Sequence, residues 1–225
     1  TPAAKALLGE ISPTILAGLF YCGAGTGIAI LRLARASTES DPDLSRTELP
    51  WLAAAILSGG VIGPLLLMTG LSVTDAAAAS LLLTLEGVAT ALIAWFVFRE
   101  NFDARVATGM GCLMAGALVL SWTGRPTLSV FGPLAIVGAC VAWGLDNNLT
   151  RKVSLSDPLQ IVQFKGLVAG PVLFGLGLLS GDRLPSLSMS AVAGAVGFLG
   201  YGVSLALFVL ALRQLGAART GAYFS

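Results

Sequence analysis

The chain has 225 residues, 56% of them hydrophobic and 11% charged, with a net charge of +1 and a mean hydropathy of +0.86. An average soluble domain carries about 25% charged residues, so a water-soluble fold of this length is excluded, and a near-neutral charge excludes a basic nucleic-acid surface or a polybasic lipid patch. Cys22, Cys112 and Cys140 each stand alone in apolar stretches and histidine is absent, which leaves no basis for zinc, haem or a disulfide framework, so no cofactor is expected.

Residues 1–10 have neither a basic start nor a small-residue cleavage site, so no signal peptide is expected and the first spans insert the protein themselves. At about 20 apolar residues per crossing, the length allows about eight or nine spans. In chain order these fall at 13–31, 51–73, 76–98, 105–122, 130–149, 158–180 and 188–212. A partial span ends near Leu8, and another begins near Gly216. Between Leu49 and Phe98 the only charges are Asp75 and Glu86. That stretch reads as a helical hairpin turning at Asp75, whose carboxylate suits an N-cap.

Basic residues test the layout, because cytoplasmic loops are enriched in Lys and Arg. With the first helix running outward, the inner loops hold Arg32, Arg35, Arg46, Arg99, Arg105, Arg151, Lys152, Arg213 and Arg219, and the outer loops only Lys5, Arg125 and Arg183. The N-terminus is therefore expected in the cytoplasm.

An internal repeat follows. Residues 12–25 align without gaps on 157–170, matching Pro13 with Pro158 and Gly25 with Gly170 at an offset of 145. A second block aligns at an offset of 141, pairing Gly59 with Gly200, Leu66 with Leu207, Leu71 with Leu212 and Ala76 with Ala217. The offset changes in a loop, where length changes are tolerated. Each unit has five helices, and an odd number inserts the second copy upside down, as in many secondary transporters. The expected fold is an all-α polytopic membrane protein, a ten-helix inverted repeat with units at 1–122 and 130–225. Both ends are expected to be truncated, by roughly a dozen residues before Thr1 and roughly 40 after Ser225.

Three stretches then resemble one family: Leu85-Glu86-Gly87 in the fourth helix, Phe98-Arg99-Glu100-Asn101-Phe102 at its end, and the Gly-rich run from Gly109 to Gly116. They are similar to the EamA-type domain of the drug/metabolite transporter superfamily, in which a Leu-Glu-Pro-like motif precedes an apolar run. Trp143-Gly144 opens the second unit as that domain does. Gly87 departs from the family's frequent Pro. The resemblance implies ten helices, a central cavity, and export or uptake of small metabolites. The expected setting is a bacterial inner membrane.

Glu86, Lys165, Asp146, Gln163 and Trp143 are the candidate substrate-binding residues. A mid-helix carboxylate at Glu86 costs about 2.5–3.5 kcal/mol on insertion scales. Either it faces a cavity, binding substrate or carrying a proton, or it is a neutral acid hydrogen-bonded between helices. Lys165 lies about 10 Å from the cytoplasmic end of its helix, Asp146 about 8 Å and Glu86 about 20 Å. Depth favours Asp146 as its partner over Glu86, leaving an anionic substrate and a structural salt bridge as the two readings. Asn147 and Asn148 read as interfacial caps. Gln163 points roughly opposite Lys165 at 100° per residue. Trp143, Trp95, Tyr21 and Tyr201 read more readily as core or interface anchors than as stacking groups.

Arg99 and Glu100 read as a solvated interfacial pair. The glycine pairs Gly23/Gly27, Gly59/Gly63 and Gly166/Gly170 read as sites of close packing, with a homodimer left open. Neither a phosphate-binding loop nor a nucleophile-and-base set appears. The chain is accordingly read as a non-enzymatic secondary transporter of a small molecule such as an amino acid, in contact with the lipid bilayer, with protons as a coupling option. The alternative is a membrane scaffold or sensor.

Overall fold

The computed structural model describes residues 11–34, 42–101, 103–121 and 130–224. The partial span near Leu8, and Lys5, Arg35 and Arg125, lie outside the described residues. Eight helices follow: α1 (Pro13–Ala34), α2 (Leu49–Leu71), α3 (Ala76–Leu83 continued by Leu85–Phe96), α4 (Ala104–Ser121), α5 (Phe131–Val153), α6 (Pro158–Leu179), α7 (Leu187–Leu215) and α8 (Ala217–Phe224). Among the described residues there is no strand. In a bilayer only structures that satisfy their own backbone groups can span, and α1, α2, α3, α6 and α7 are each long and apolar enough to do so. The protein is an all-α, multi-pass integral membrane protein.

Helix ends fall within four residues of the sequence expectation. The turn at Ser72–Asp75 is where Asp75 places it, and the Asp75 carbonyl accepts the Ala79 N–H at 2.9 Å. The largest difference is α5, which runs on to Val153 because Asp146, Asn147, Asn148 and Thr150 are buried inside the bundle rather than exposed at its edge.

Three helices depart from regular α geometry. A π-helical segment occupies Ile56–Ile62 of α2 and another Phe198–Val203 of α7. In α2 the cause is local. Pro64 has no N–H for the carbonyl four residues back and its ring crowds it, and the wider π turn over Gly59 and Gly60 relieves that crowding. The segments end at Ile62 and Val203, 141 residues apart, which equals the second sequence offset. The third departure is a break at Thr84 in α3, where the Thr84 N–H and hydroxyl both turn back to the Leu81 carbonyl, at 3.2 and 2.7 Å.

The α1 and α6 helices pack along their length through glycine. A Cβ on Gly25 would lie 2.6 Å from the Leu167 nitrogen, and one on Gly170 2.7 Å from the Cys22 nitrogen. Gly23 and Gly27 make the corresponding approach to α7, against Gly194 and Phe198. The packing reading of these glycines holds. Ile28, Ile161, Val162 and Val209 close the core where α1, α6 and α7 meet.

Most charges gather on one face. Arg32 pairs with Asp157 at 3.0 Å and Asp43 at 3.3 Å and donates to Gln163 at 2.8 Å. Arg213 donates to the carbonyls of Ser154 and, at 2.7 Å, Ser156. Asp103 pairs with Arg219 at 2.9 Å. Glu100 is no freely solvated group. Its carboxylate accepts the N–H groups of Ala217 and Ala218 at 3.0 and 3.2 Å and lies 3.6 Å from Arg151, capping α8, because an acid neutralises the dipole of a helix N-terminus. Burial pushes the Glu48 carboxyl up, but hydrogen bonds from the Ser45 N–H and hydroxyl and from the Ser156 hydroxyl outweigh it and hold the group below its usual 4.5.

Two outcomes are expected. Gly25→Leu overpacks the α1–α6 crossing by about 1–3 kcal/mol and lowers the melting temperature in detergent, whereas Gly175→Ala, where a Cβ meets nothing within 4 Å, leaves it unchanged or raises it. Because the Glu48 carboxyl is depressed in the fold, its contribution is complete above about pH 4.5 and lost as pH falls through the lower folded value. Thermal scans of Glu48→Gln should therefore fall below wild type at about pH 7 and converge with it as the pH falls through the lower folded value.

Candidate functional site

The centre of the bundle holds a cavity of about 320 Å³ walled by α1, α2, α3, α5, α6, α7 and α8. Its polar lining is Tyr21, Glu86, Trp143, Asp146, Asn147, Lys165, Tyr201 and Ser204, and its apolar wall includes Leu67, Met68, Leu205, Phe208 and Phe224. A second space of about 200 Å³ adjoins it, sharing Glu86, Asn147, Phe208 and Phe224. Glu86 and Asn147 thus line both spaces.

Lys165 Nζ lies 2.6 Å from Asp146 Oδ1 and 2.9 Å from Thr150 Oγ1, and the Thr150 hydroxyl donates to the same Asp146 oxygen at 2.9 Å. The ammonium and carboxylate side chains are 4% and 10% exposed. Burying both charges is tolerable because each neutralises the other and the threonine adds a hydrogen bond to each. This decides the pairing of Lys165 in favour of Asp146 over Glu86. It also leaves the Lys165 charge already matched.

Glu86 has a different environment. The break at Thr84 puts it in the first turn of Leu85–Phe96, where the helix terminus supplies partial positive charge. Its carboxylate accepts from Asn147 Nδ2 at 3.3 Å, and among the described residues no cation stands within ion-pair distance of it. The same amide reaches Thr90 Oγ1 at 3.1 Å, and Asn148 Nδ2 reaches the carbonyls of Thr90 and Gly144 at 2.9 and 2.8 Å. The Asn pair therefore stitches α5 to α3 instead of capping a helix, since α5 continues past it. Gly144 makes the seam narrow, with an added Cβ meeting the Thr90 nitrogen at 2.9 Å. Asp146 and Glu86 line one cavity although their distances along their helices from Arg151 and Arg99, about 8 and 20 Å, differ.

Trp143, Tyr21 and Tyr201 line the cavity. Trp143 Nε1 donates to the Gly59 carbonyl at 3.0 Å, in the π segment of α2, and the Tyr21 hydroxyl approaches the same oxygen at 3.5 Å. Tyr21 packs edge-on to Tyr201 with centroids 5.4 Å apart. Trp95 behaves as expected, packing with Ala91, Ala94 and Leu212. Gln163 is held by Arg32 on the charged face and is not part of the cavity wall.

Thr90 and Thr150 join these groups as well, Thr90 through Asn147 and Thr150 through Lys165 and Asp146. Each sits four residues after a carboxylate, Glu86 or Asp146, the spacing at which a helix brings side chains together. That spacing was the available signal.

If the pair is structural, Lys165→Met strands a buried carboxylate and costs about 3–5 kcal/mol. Adding Asp146→Asn should recover most of that loss, read as melting temperature of the single and double variants in one detergent.

The family model described as the EamA-like transporter family matches residues 1–122. An "Uncharacterized transporter" from Methanothermobacter thermautotrophicus is 29% identical over 98% of this chain and 69% of its own length. The "Uncharacterized transporter YyaM" from Bacillus subtilis is 24% identical over 99% of this chain and 75% of its own. A solved crystal structure superimposes with a TM-score of 0.76 at 20% identity, over 97% of this chain and 76% of that one, a likeness of fold.

Proposed function

The chain belongs to the EamA-like transporter family, and from that membership we propose that it is a secondary transporter that moves a small organic molecule by alternating access around the central cavity. The observation that carries this reading is the cavity itself: a mostly apolar space with a few polar side chains in its wall, holding a carboxylate that no cation among the described residues neutralises. Ionisable groups at such depth are expensive and mark substrate or proton pathways.

The repeat supports the mechanism. Two inverted five-helix halves rock about a midplane site in this class of architecture; the π segment of α7 lines the cavity through Gly200 and Tyr201, and that of α2 ends two residues before Pro64 on the cavity wall. They are the natural points of bending, since a π turn is less tightly held than the α-helix around it. The Arg-rich face is the cytoplasmic one by the positive-inside rule, which sets the N-terminus in the cytoplasm and suits a bacterial inner membrane. Glu86 is the group that would take up and release a proton if transport is proton-coupled.

Accessibility tests this against a scaffold without flux. In a variant lacking the native cysteines, Ala17→Cys on the cavity wall should be labelled by a membrane-impermeant maleimide in both right-side-out and inverted vesicles. Labelling from one side only would exclude alternating access. Proton coupling predicts that an inward pH gradient alters solute flux into proteoliposomes and that Glu86→Gln removes the effect.

A further inference from the structure

The cavity's charge balance points to a substrate class. Its ionisable groups are Glu86, Asp146 and Lys165, with the phenols of Tyr21 and Tyr201. Lys165 and Asp146 cancel at 2.6 Å. What stands opposite Glu86 is one amide hydrogen bond and a helix terminus, which are dipoles rather than a whole charge. A carboxylate with no matching cation among the described residues draws a positive charge towards it.

The walls say what kind. Beside the carboxylate stand the rings of Tyr21, Trp143, Tyr201, Phe208 and Phe224. Tyr21 and Tyr201 meet edge-on, as do Phe208 and Phe224 with centroids 4.9 Å apart. Trp143 is fixed by its bond to the Gly59 carbonyl. A hydrated metal ion is poorly served by such a lining, which offers few oxygen ligands. An organic cation is well served, because aromatic faces attract a positive centre by their quadrupole while burying its carbon substituents. The volume of about 320 Å³ lies at the lower end of the roughly 300–1,000 Å³ usual for small-molecule pockets.

We propose that the substrate is a small organic cation, an amine or quaternary ammonium with an apolar body, held by the Glu86 carboxylate and the aromatic wall. The inference rests on the cavity being the substrate site. It departs from an anionic ligand for Lys165, because an anion would have to displace Asp146 from a buried ion pair and would face Glu86 unscreened.

The test uses three probes of similar size on the purified full chain in detergent: benzyltrimethylammonium, phenylacetamide and phenylacetate, each titrated by calorimetry. The expected order is cation first, tighter than the amide by about tenfold or more, with phenylacetate weakest. Glu86→Gln should abolish the cation's advantage over the amide. Tyr201→Leu should weaken the cation more than the amide, because it removes a ring face and keeps apolar area. Equal or tighter binding of phenylacetamide or phenylacetate to wild type would overturn the cation assignment while leaving the cavity as a binding site. Cation affinity unchanged in Glu86→Gln would overturn it as well. Binding of none of the three would count against the cavity as the substrate site, and the labelling of Ala17→Cys then tells separately whether it opens to both sides. Should Glu86→Gln fail to fold, the ranking of the three probes on wild type decides by itself.

Discussion

A charge placed among apolar helices must be matched where it sits, since neither lipid nor a dry core solvates it. Asp146 and Lys165 meet this requirement by pairing, and that pair joins α5 to α6 at the level of the cavity. The polar second half of α5 follows from it. A helix carrying Asp146, Asn147, Asn148 and Thr150 is stable only where other helices surround that stretch, so α2, α3, α7 and α8 pack around α5. Glu86, on the cavity wall, has no such partner among the described residues.

Small residues decide how closely the helices approach. Hydrophobic burial gives little selectivity between one apolar helix and another in lipid, and contact geometry decides instead. Gly25, Gly166 and Gly170 bring the backbones of α1 and α6 together, and Gly144 brings α5 against Thr90 of α3. Where backbone hydrogen bonding is locally irregular, side chains use the available carbonyls. Gly59 in the π segment is taken by Trp143, and Leu82 before the break in α3 accepts from the Cys140 thiol at 3.4 Å. The irregular stretches of α2 and α3 thus border the cavity, consistent with non-regular backbone being tolerated at membrane depth only inside protein or along a cavity.

On the charged face, loops far apart in sequence are tied by a few exact partners. Arg32 holds the start of α6 through Asp157, Arg213 holds the loop before α6 by its carbonyls, and Glu100 holds the start of α8. Exposed ion pairs contribute little to stability individually. Here their effect is positional, fixing which helix ends lie together below the cavity.

Much of this was legible in the sequence. Hydropathy placed the helices, because the length of an apolar run is set by bilayer thickness and needs no partner to be read. The candidate residues Glu86, Asp146, Lys165 and Trp143 were visible for the same local reason, as polar or amphipathic groups where lipid-facing residues belong. Tertiary structure alone decided their relations. That Lys165 meets Asp146 and Thr150, that Gln163 goes to Arg32, that Tyr21 and Tyr201 face the cavity, and that Glu86 has no cation beside it among the described residues all depend on helix rotation and tilt. Those are fixed by glycine contacts and backbone irregularities between segments 50 or more residues apart, such as Gly144 and Thr90 or Gly25 and Leu167, and a periodicity read along one helix carries no information about the azimuth of another.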